Sequence, residues 1–230
     1  MNQIIPAIMP KSYEELESAV ALVVSRVPII QIDVMDGVFV QNTSWPFEHG
    51  RGRGDDADFA RIVSEEQGMP FWEEIDYELD LMVENADLQF DEWIRLGAKR
   101  MVFHIESMDD VGGFLERMQD MRHLVEIGLS FNNDTAVDTV TPYLSLVDFV
   151  QCMGIANIGL QGEPLDERVF ESITAIRQAA PDLPISVDGG VNIDTIERLR
   201  DAGVTRFVAG SAVFGDGSIE DNIAELESLV

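Results

Sequence analysis

Aspartates close several apolar runs of this sequence in a pattern suited to proton transfer. Ile29-Ile30-Gln31-Ile32-Asp33-Val34-Met35-Asp36-Gly37 is an almost uninterrupted apolar run that ends in two carboxylates and a glycine. Leu183-Pro184-Ile185-Ser186-Val187-Asp188-Gly189-Gly190 repeats the pattern far downstream, and Glu78-Leu79-Asp80-Leu81-Met82-Val83 carries a third aspartate. Such runs, bounded by turn signals, read as buried strands of a parallel sheet. The chemistry of those sheets gathers at the C-terminal ends of strands, where Asp33, Asp80 and Asp188 fall. Two carboxylates facing one pocket suit proton exchange with a carbon acid, one acting as base and the other as acid. Asp36, on the turn itself, is read as a cap of the turn backbone.

Other residues at strand ends could complete a pocket. Gly159-Leu160-Gln161-Gly162, Gly189-Gly190 and Gly210-Ser211 follow late runs, where barrels commonly bind phosphate through backbone N–H groups. Each glycine taken singly is equally a turn residue with positive φ. Met35, Met82 and Met153 also stand at strand ends and are read either as core filler or as an apolar lid over the acids. His104 ends the fourth run and is open between substrate contact and barrel wall; His49 and His123 are read as solvated and inert. No Ser-His-Asp order, CxxC, HExxH, GxGxxG or Walker loop is present. Neither lysine, Lys11 or Lys99, lies within a strand core, which disfavours Schiff-base chemistry.

Eight strand-like runs would position these residues: Ile4 to Ile8, Ile29 to Asp33, Ile75 to Val83, Arg100 to Ile105, Val125 to Leu129, Val147 to Met153, Ile185 to Asp188 and Arg206 to Ala209. Amphipathic stretches alternate with them. Ser12 to Ser25 opens with a Ser12-x-x-Glu15 capping box, and Leu88 to Leu96, Val111 to Met121, Glu167 to Ala179 and Asn192 to Ala202 follow. A second helix is placed at Asp58 to Glu66, a short one near Thr135 to Tyr143 with Pro142 at or beyond its end, and the last at Ile219 to Leu229 after an N-cap at Ser218. Glycines after Leu96 and Ala202 suit left-handed C-caps. Eight such units without a linker predict a single α/β domain, a (β/α)8 TIM barrel over residues 1–230, with an irregular insertion at about 41–73 after the second strand. An open doubly wound sheet is the alternative.

Composition narrows the partners. The 230 residues hold 43 acidic and 15 basic side chains, a net charge of −28, which excludes nucleic acid and disfavours anionic membrane surfaces. Such an acidic, lysine-poor surface fits either a high-salt cytosol or an ordinary acidic protein. No apolar window is long enough to span a membrane, no secretory signal opens the chain, and the lone Cys152 is read as a core thiol, so a cytoplasmic location is expected. Homo-oligomerisation is left open.

The sequence resembles the ribulose-phosphate 3-epimerase family over essentially its whole length. The resemblance rests on Asp33-Val34-Met35-Asp36-Gly37-x-Phe39-Val40-x-Asn42, Asp80-Leu81-Met82-Val83, Val187-Asp188-Gly189-Gly190-Val191-Asn192 and Val208-Ala209-Gly210-Ser211-Ala212-Val213-Phe214-Gly215. It implies a barrel that inverts C3 of a ketopentose 5-phosphate, with Asp33 and Asp188 exchanging protons through an enediolate. It further implies Met35, Met82 and Met153 above the site, and a phosphate cradle at Gly189, Gly190, Gly210 and Ser211, with Gly159 and Gly162 nearby. The family usually holds a divalent metal with two histidines and two aspartates. Here Gln31 and Asp80 stand at the histidine positions, and Ala7 stands where a serine is usual. The set Gln31, Asp33, Asp80 and Asp188 is all-oxygen and would suit Mg²⁺ or Mn²⁺ better than Zn²⁺; alternatively no metal binds and polar groups alone carry that role.

Asn157-Ile158-Gly159-Leu160-Gln161-Gly162-Glu163 keeps only part of the family's Asn-Pro-Gly-Phe-Gly-Gly-Gln loop. Related decarboxylases and hexulose-phosphate synthases use an Asp-x-Lys-x-x-Asp motif on the third strand, and this chain has no lysine there. The expected function is therefore a sugar-phosphate epimerase or isomerase acting on a small phosphosugar. The alternatives are a phosphosugar-binding barrel without turnover, or an epimerase for another ketose phosphate, which the altered loop and Arg51/Arg53 would permit.

Overall fold

A computed structural model describes residues 2–47 and 55–230. His49, Arg51 and Arg53, with part of the 41–73 segment, lie outside the described residues. Eight parallel strands close into a barrel in sequential order: β1 (Gln3–Ile8), β2 (Ile29–Met35), β3 (Asp76–Met82), β4 (Arg100–His104), β5 (Glu126–Phe131), β6 (Phe149–Met153), β7 (Ile185–Asp188) and β8 (Arg206–Ala209). Closure comes from β1 pairing with β8 through Gln3↔Arg206 to Pro6↔Ala209. No helix among the described residues is long and apolar enough to cross a membrane.

The helices are α1 (Tyr13–Val23), α2 (Ala57–Val63), α3 (Phe90–Arg95), α4 (Val111–Met118), α5 (Val169–Ala179), α6 (Ile196–Asp201), α7 (Ser211–Phe214) and α8 (Ile219–Ser228). Ser12 caps α1 by accepting the Glu15 N–H, and Ser218 caps α8 by accepting that of Asp221. Gly97 and Gly203 take φ of 79° and 106°, as expected of C-caps.

Three expectations need correction. The Thr135 to Tyr143 stretch is two 3-10 segments, Val137–Thr139 and Thr141–Leu146, and Pro142 lies in the first turn of the second one, where its missing N–H costs nothing. The stretch from Leu88 begins as 3-10 helix (Ala86–Gln89) before α3. The Asn192 to Ala202 helix starts only at Ile196, because the Asn192 side chain accepts the Asp194 N–H and the Thr195 hydroxyl donates to the Gly190 carbonyl. Those local bonds compete with helix initiation.

The two faces of each strand explain how polar residues came to interrupt apolar runs. All seven residues of β2 are buried. Side chains alternate, so Ile30, Ile32 and Val34 join the main hydrophobic core between strands and helices, while Gln31 and Asp33 share the opposite, barrel-lining face. Tyr77, Leu79 and Leu81 likewise pack outward, leaving Glu78, Asp80 and Met82 on the inward face of β3. At the N-terminal end of the lumen Arg100 pairs with Glu78 and Glu126, and Arg206 with Glu126. Burial pushes the Glu78 carboxyl up to about 6, against the pull of the two arginines.

The segment after β2 folds back and fixes that strand's C-terminal end. Ser44 Oγ donates to the Asp33 carbonyl at 2.6 Å and accepts the Met35 N–H at 2.9 Å. Trp45 then packs on Phe59, and Phe59 on the fully buried Trp93, with ring centroids 5.9 and 5.5 Å apart. This aromatic chain anchors the loop to α2 and α3 and so holds the end of β2 in place.

Candidate active site

The register of the barrel brings the acids together. Asp33 pairs with Asp80 across β2 and β3, and Met153 with Asp188 across β6 and β7. One carboxylate oxygen from each of Asp33, Asp80 and Asp188 lies within 4.8 Å of the others. Gln31 Nε2 donates to Asp33 Oδ1 at 2.7 Å and to Asp188 Oδ2 at 2.7 Å, so a single amide bridges the two acids. Asp80 is held from the other side. Gln151 Nε2 donates to its Oδ2 at 3.0 Å, and His104 Nε2 stands 2.9 Å from its Oδ1.

Electrostatics follow from burial. Asp33 is pushed up to about 8, chiefly by loss of water and next by the Asp80 charge, with the Gln31 hydrogen bond acting in the opposite direction. Asp188 is raised well above the usual carboxylate range by burial and by the charges of Asp33 and Asp80. Neighbouring carboxylates in a dry site resist double ionisation, so a proton is retained within the group at neutral pH. An acid and a base thus coexist within hydrogen-bond reach of one amide.

Most expected site residues converge on the cavity at the C-terminal mouth. Met82, Met153, Gly159, Gly162, Gly189, Gly190, Gly210 and Ser211 line it together with Asp33 and Asp188. Met35 does not. It is buried below the loop after β6, in a small cluster with Met82 and Val40, and its Sδ would lie 3.2 Å from a Cβ added to Gly159. Met35 shares the inward face of Gln31 and Asp33 but stands two residues beyond Asp33, where Val40, Met82 and the loop after β6 cover it, and Met9 reaches the cavity as well. His104 is a wall residue, fully buried against Asp80 and beside the Phe39 ring. Asp36 caps the turn as expected, accepting the Val38 and Phe39 N–H groups at 2.8 and 2.9 Å. The Cys152 thiol is buried and pushed up to about 12, which leaves it unreactive.

Sequence reasoning missed Gln151. The signal was present: it lies two residues before Met153 and so shares that residue's face. It also missed the placement of Gln161, whose amide Nε2 would come within 2.8 Å of a Cβ on Gly210. No lysine, arginine or histidine lines the cavity among the described residues; its charged lining residues are Asp33, Asp188 and Glu163.

A divalent cation fits this donor set. Three carboxylates converge, and Gln31 Oε1 is buried without a hydrogen-bond partner among the described residues. Rotating that amide by half a turn would replace the bridging N–H groups with a carbonyl oxygen and complete an all-oxygen set. Such hard ligands match Mg²⁺ or Mn²⁺, and among the described residues no histidine or cysteine joins the converging set, which counts against Zn²⁺.

The profile of the ribulose-phosphate 3 epimerase family matches residues 59–214. The chain belongs to the ribulose-phosphate 3-epimerase family. It is 28% identical over 229 residues to a ribulose-phosphate 3-epimerase of Mycobacterium leprae, covering 97% of this chain and 92% of that one. With the ribulose-phosphate 3-epimerase of Schizosaccharomyces pombe it shares 26% identity over 230 residues, covering 99% and 93%. The fold is also that of a 3-hexulose-6-phosphate synthase, with TM-score 0.69, 20% identity and full coverage of both chains. A 3-keto-L-gulonate-6-phosphate decarboxylase from Vibrio cholerae superposes with TM-score 0.68 and 12% identity over 100% and 97% of the chains.

Proposed function

We propose that this chain is a pentose-phosphate epimerase that inverts C3 of a ketose 5-phosphate, with Asp33 and Asp188 as the acid/base pair. One observation carries the reading: both carboxylates sit 2.7 Å from the same amide nitrogen of Gln31, Asp33 buried and Asp188 partly so, with their proton affinity raised. In the forward step the ionised aspartate takes the C3 proton, and the electron pair moves into the adjacent carbonyl to give an enediolate. The protonated aspartate then delivers its proton to the opposite face of C3. Configuration is inverted, and the two carboxyls have exchanged protonation states. Loss and gain of a proton to solvent resets them.

Gln31 orients both acids and keeps them apart by one amide. Asp80, held by Gln151 and His104, keeps the local field negative and so raises the affinity of both acids for a proton. Gln31, Asp33, Asp80 and Asp188 would hold a divalent cation, which when bound would stabilise negative charge on the substrate oxygens. The loops after β6, β7 and β8, with Gly159, Gly162, Gly189, Gly190, Gly210 and Ser211, line the end of the cavity that would receive the phosphate on backbone N–H groups.

The test is exchange at C3. Ribulose 5-phosphate incubated with the protein in deuterated water should gain deuterium at C3 and yield the C3 epimer. A phosphosugar-binding barrel without turnover would bind the sugar and leave that position unlabelled.

A further inference from the structure

A phosphate monoester carries about −1.5 to −2 charges at neutral pH. Pockets that bind one usually set lysine or arginine against it. This cavity contains no cation among its described lining residues and has a third carboxylate, Glu163, on the loop after β6. Glu163 is half-buried. Among the described residues the neutral amide of Asn157 donates to Oε2 at 3.4 Å, and no described cation pairs with it. On the same loop Gln161 extends over Gly210, which brings Glu163's segment against the loops after β7 and β8.

We propose that Glu163 is a specificity-determining residue at the phosphate end of the cavity, a fixed negative charge that makes affinity for a phosphosugar rise with ionic strength. The proposal rests on the phosphosugar reading of the site. Its physics is screening. The Debye length falls from about 10 Å at 0.1 M salt to about 3 Å at 1 M. Added salt therefore removes the repulsion between Glu163 and the phosphate, while the short backbone N–H bonds to the phosphate change little. A site built on lysine or arginine responds in the opposite direction, losing affinity as salt rises. The sign of the salt dependence is thus diagnostic. The overall charge of −28 adds repulsion of the same sign, so the local contribution must be separated from the global one.

The experiment measures Kd for ribulose 5-phosphate by equilibrium dialysis at 0.1 M and 1 M KCl. It compares the wild-type chain, Glu163→Gln and Glu227→Gln, the last removing one exposed charge near the N-terminal face. Wild-type Kd should fall about fivefold between the two salts. Glu163→Gln should bind about fivefold tighter than wild type at 0.1 M and respond to salt only weakly, while Glu227→Gln should follow wild type. Unphosphorylated ribulose should show no such response in any of the three. Glu163→Gln binding no tighter than wild type at low salt, Glu227→Gln giving the same gain, or no binding by any variant would overturn the proposal. Deuterium exchange at C3 is followed in parallel. Expected binding without exchange leaves Glu163's role intact and removes the epimerase reading; exchange with an unresponsive Glu163 does the reverse.

Discussion

Gln31 and Asp188 are 157 residues apart in the chain and meet at 2.7 Å in the barrel lumen. That contact, with its twin from Gln31 to Asp33, makes an amide the link between the buried Asp33 and the partly buried Asp188. An amide donor favours the ionised form of each carboxyl, yet burial and mutual repulsion outweigh it and leave both with raised proton affinity. The site is poised for proton transfer because the larger of two opposing effects keeps a proton in it.

Removing either acid should remove the chemistry. Asp33→Asn and Asp188→Asn should each lower kcat by at least about 10³-fold, in the range expected for loss of a general acid or base. Phosphosugar affinity should stay within about tenfold, since the phosphate end of the cavity is untouched. C3 deuterium exchange and equilibrium dialysis on the same preparations check both halves, and substantial exchange by either variant would rule out the two-carboxylate mechanism.

Stability should fall as pH rises. Asp33 holds its proton in the fold up to about pH 8, whereas in the unfolded chain it ionises near 4. The folded state therefore binds the extra proton between those values. Its contribution is complete below about pH 4 and is lost progressively up to about 8, at about 1 kcal/mol per pH unit. Melting temperatures from pH 4.5 to 9 in a chelator should decline, and Asp33→Asn should flatten the slope and melt higher than wild type at pH 9. Parallel curves for the two proteins would show that Asp33 is not the titrating group.

The donor set should choose its ion. Mn²⁺ or Mg²⁺ added to chelator-treated protein at pH 8 should raise the melting temperature more than equimolar Zn²⁺, because every available ligand atom is a hard oxygen. Asp80→Ala should abolish the rise, and Gln31→His, which adds an imidazole, should shift the preference toward Zn²⁺. A larger response to Zn²⁺ in the unaltered chain would contradict the all-oxygen set.

The glycines of the mouth should divide into two kinds. Gly190 has φ +68°, and a Cβ there would lie 2.7 Å from the Leu165 Cα, so Gly190→Ala should cost about 1–3 kcal/mol of stability. Gly210 lies outside the left-handed region, and its added Cβ would meet the movable end of Gln161 at 2.8 Å and the Ala7 carbonyl oxygen at 3.3 Å. Gly210→Val should therefore lower the melting temperature less than Gly190→Ala does and raise KM by tenfold or more. Unchanged KM in Gly210→Val would make that glycine structural only.

Local sequence patterns specify the strands and their polarity. Apolar runs ending in Asp-Gly and amphipathic stretches between them specify parallel β/α units through local periodicity, and Asp33, Asp80 and Asp188 were legible because strand ends are marked by turn residues. Capping at Ser12 and Ser218 was legible for the same reason: the partner N–H lies three residues away. Which inward residues meet is set by the closed barrel. The Gln31 bridge, the grip of His104 and Gln151 on Asp80, and the exclusion of Met35 from the cavity depend on barrel register and closure. Those are set by β1 pairing with β8 and by the loop that Ser44 and Trp45 anchor, contacts between segments distant in the chain. Periodicity says which face a residue takes; it carries no information on how far up the lumen each strand sits relative to its neighbours. That stagger decides which side chains share a layer, and hence which acids face each other.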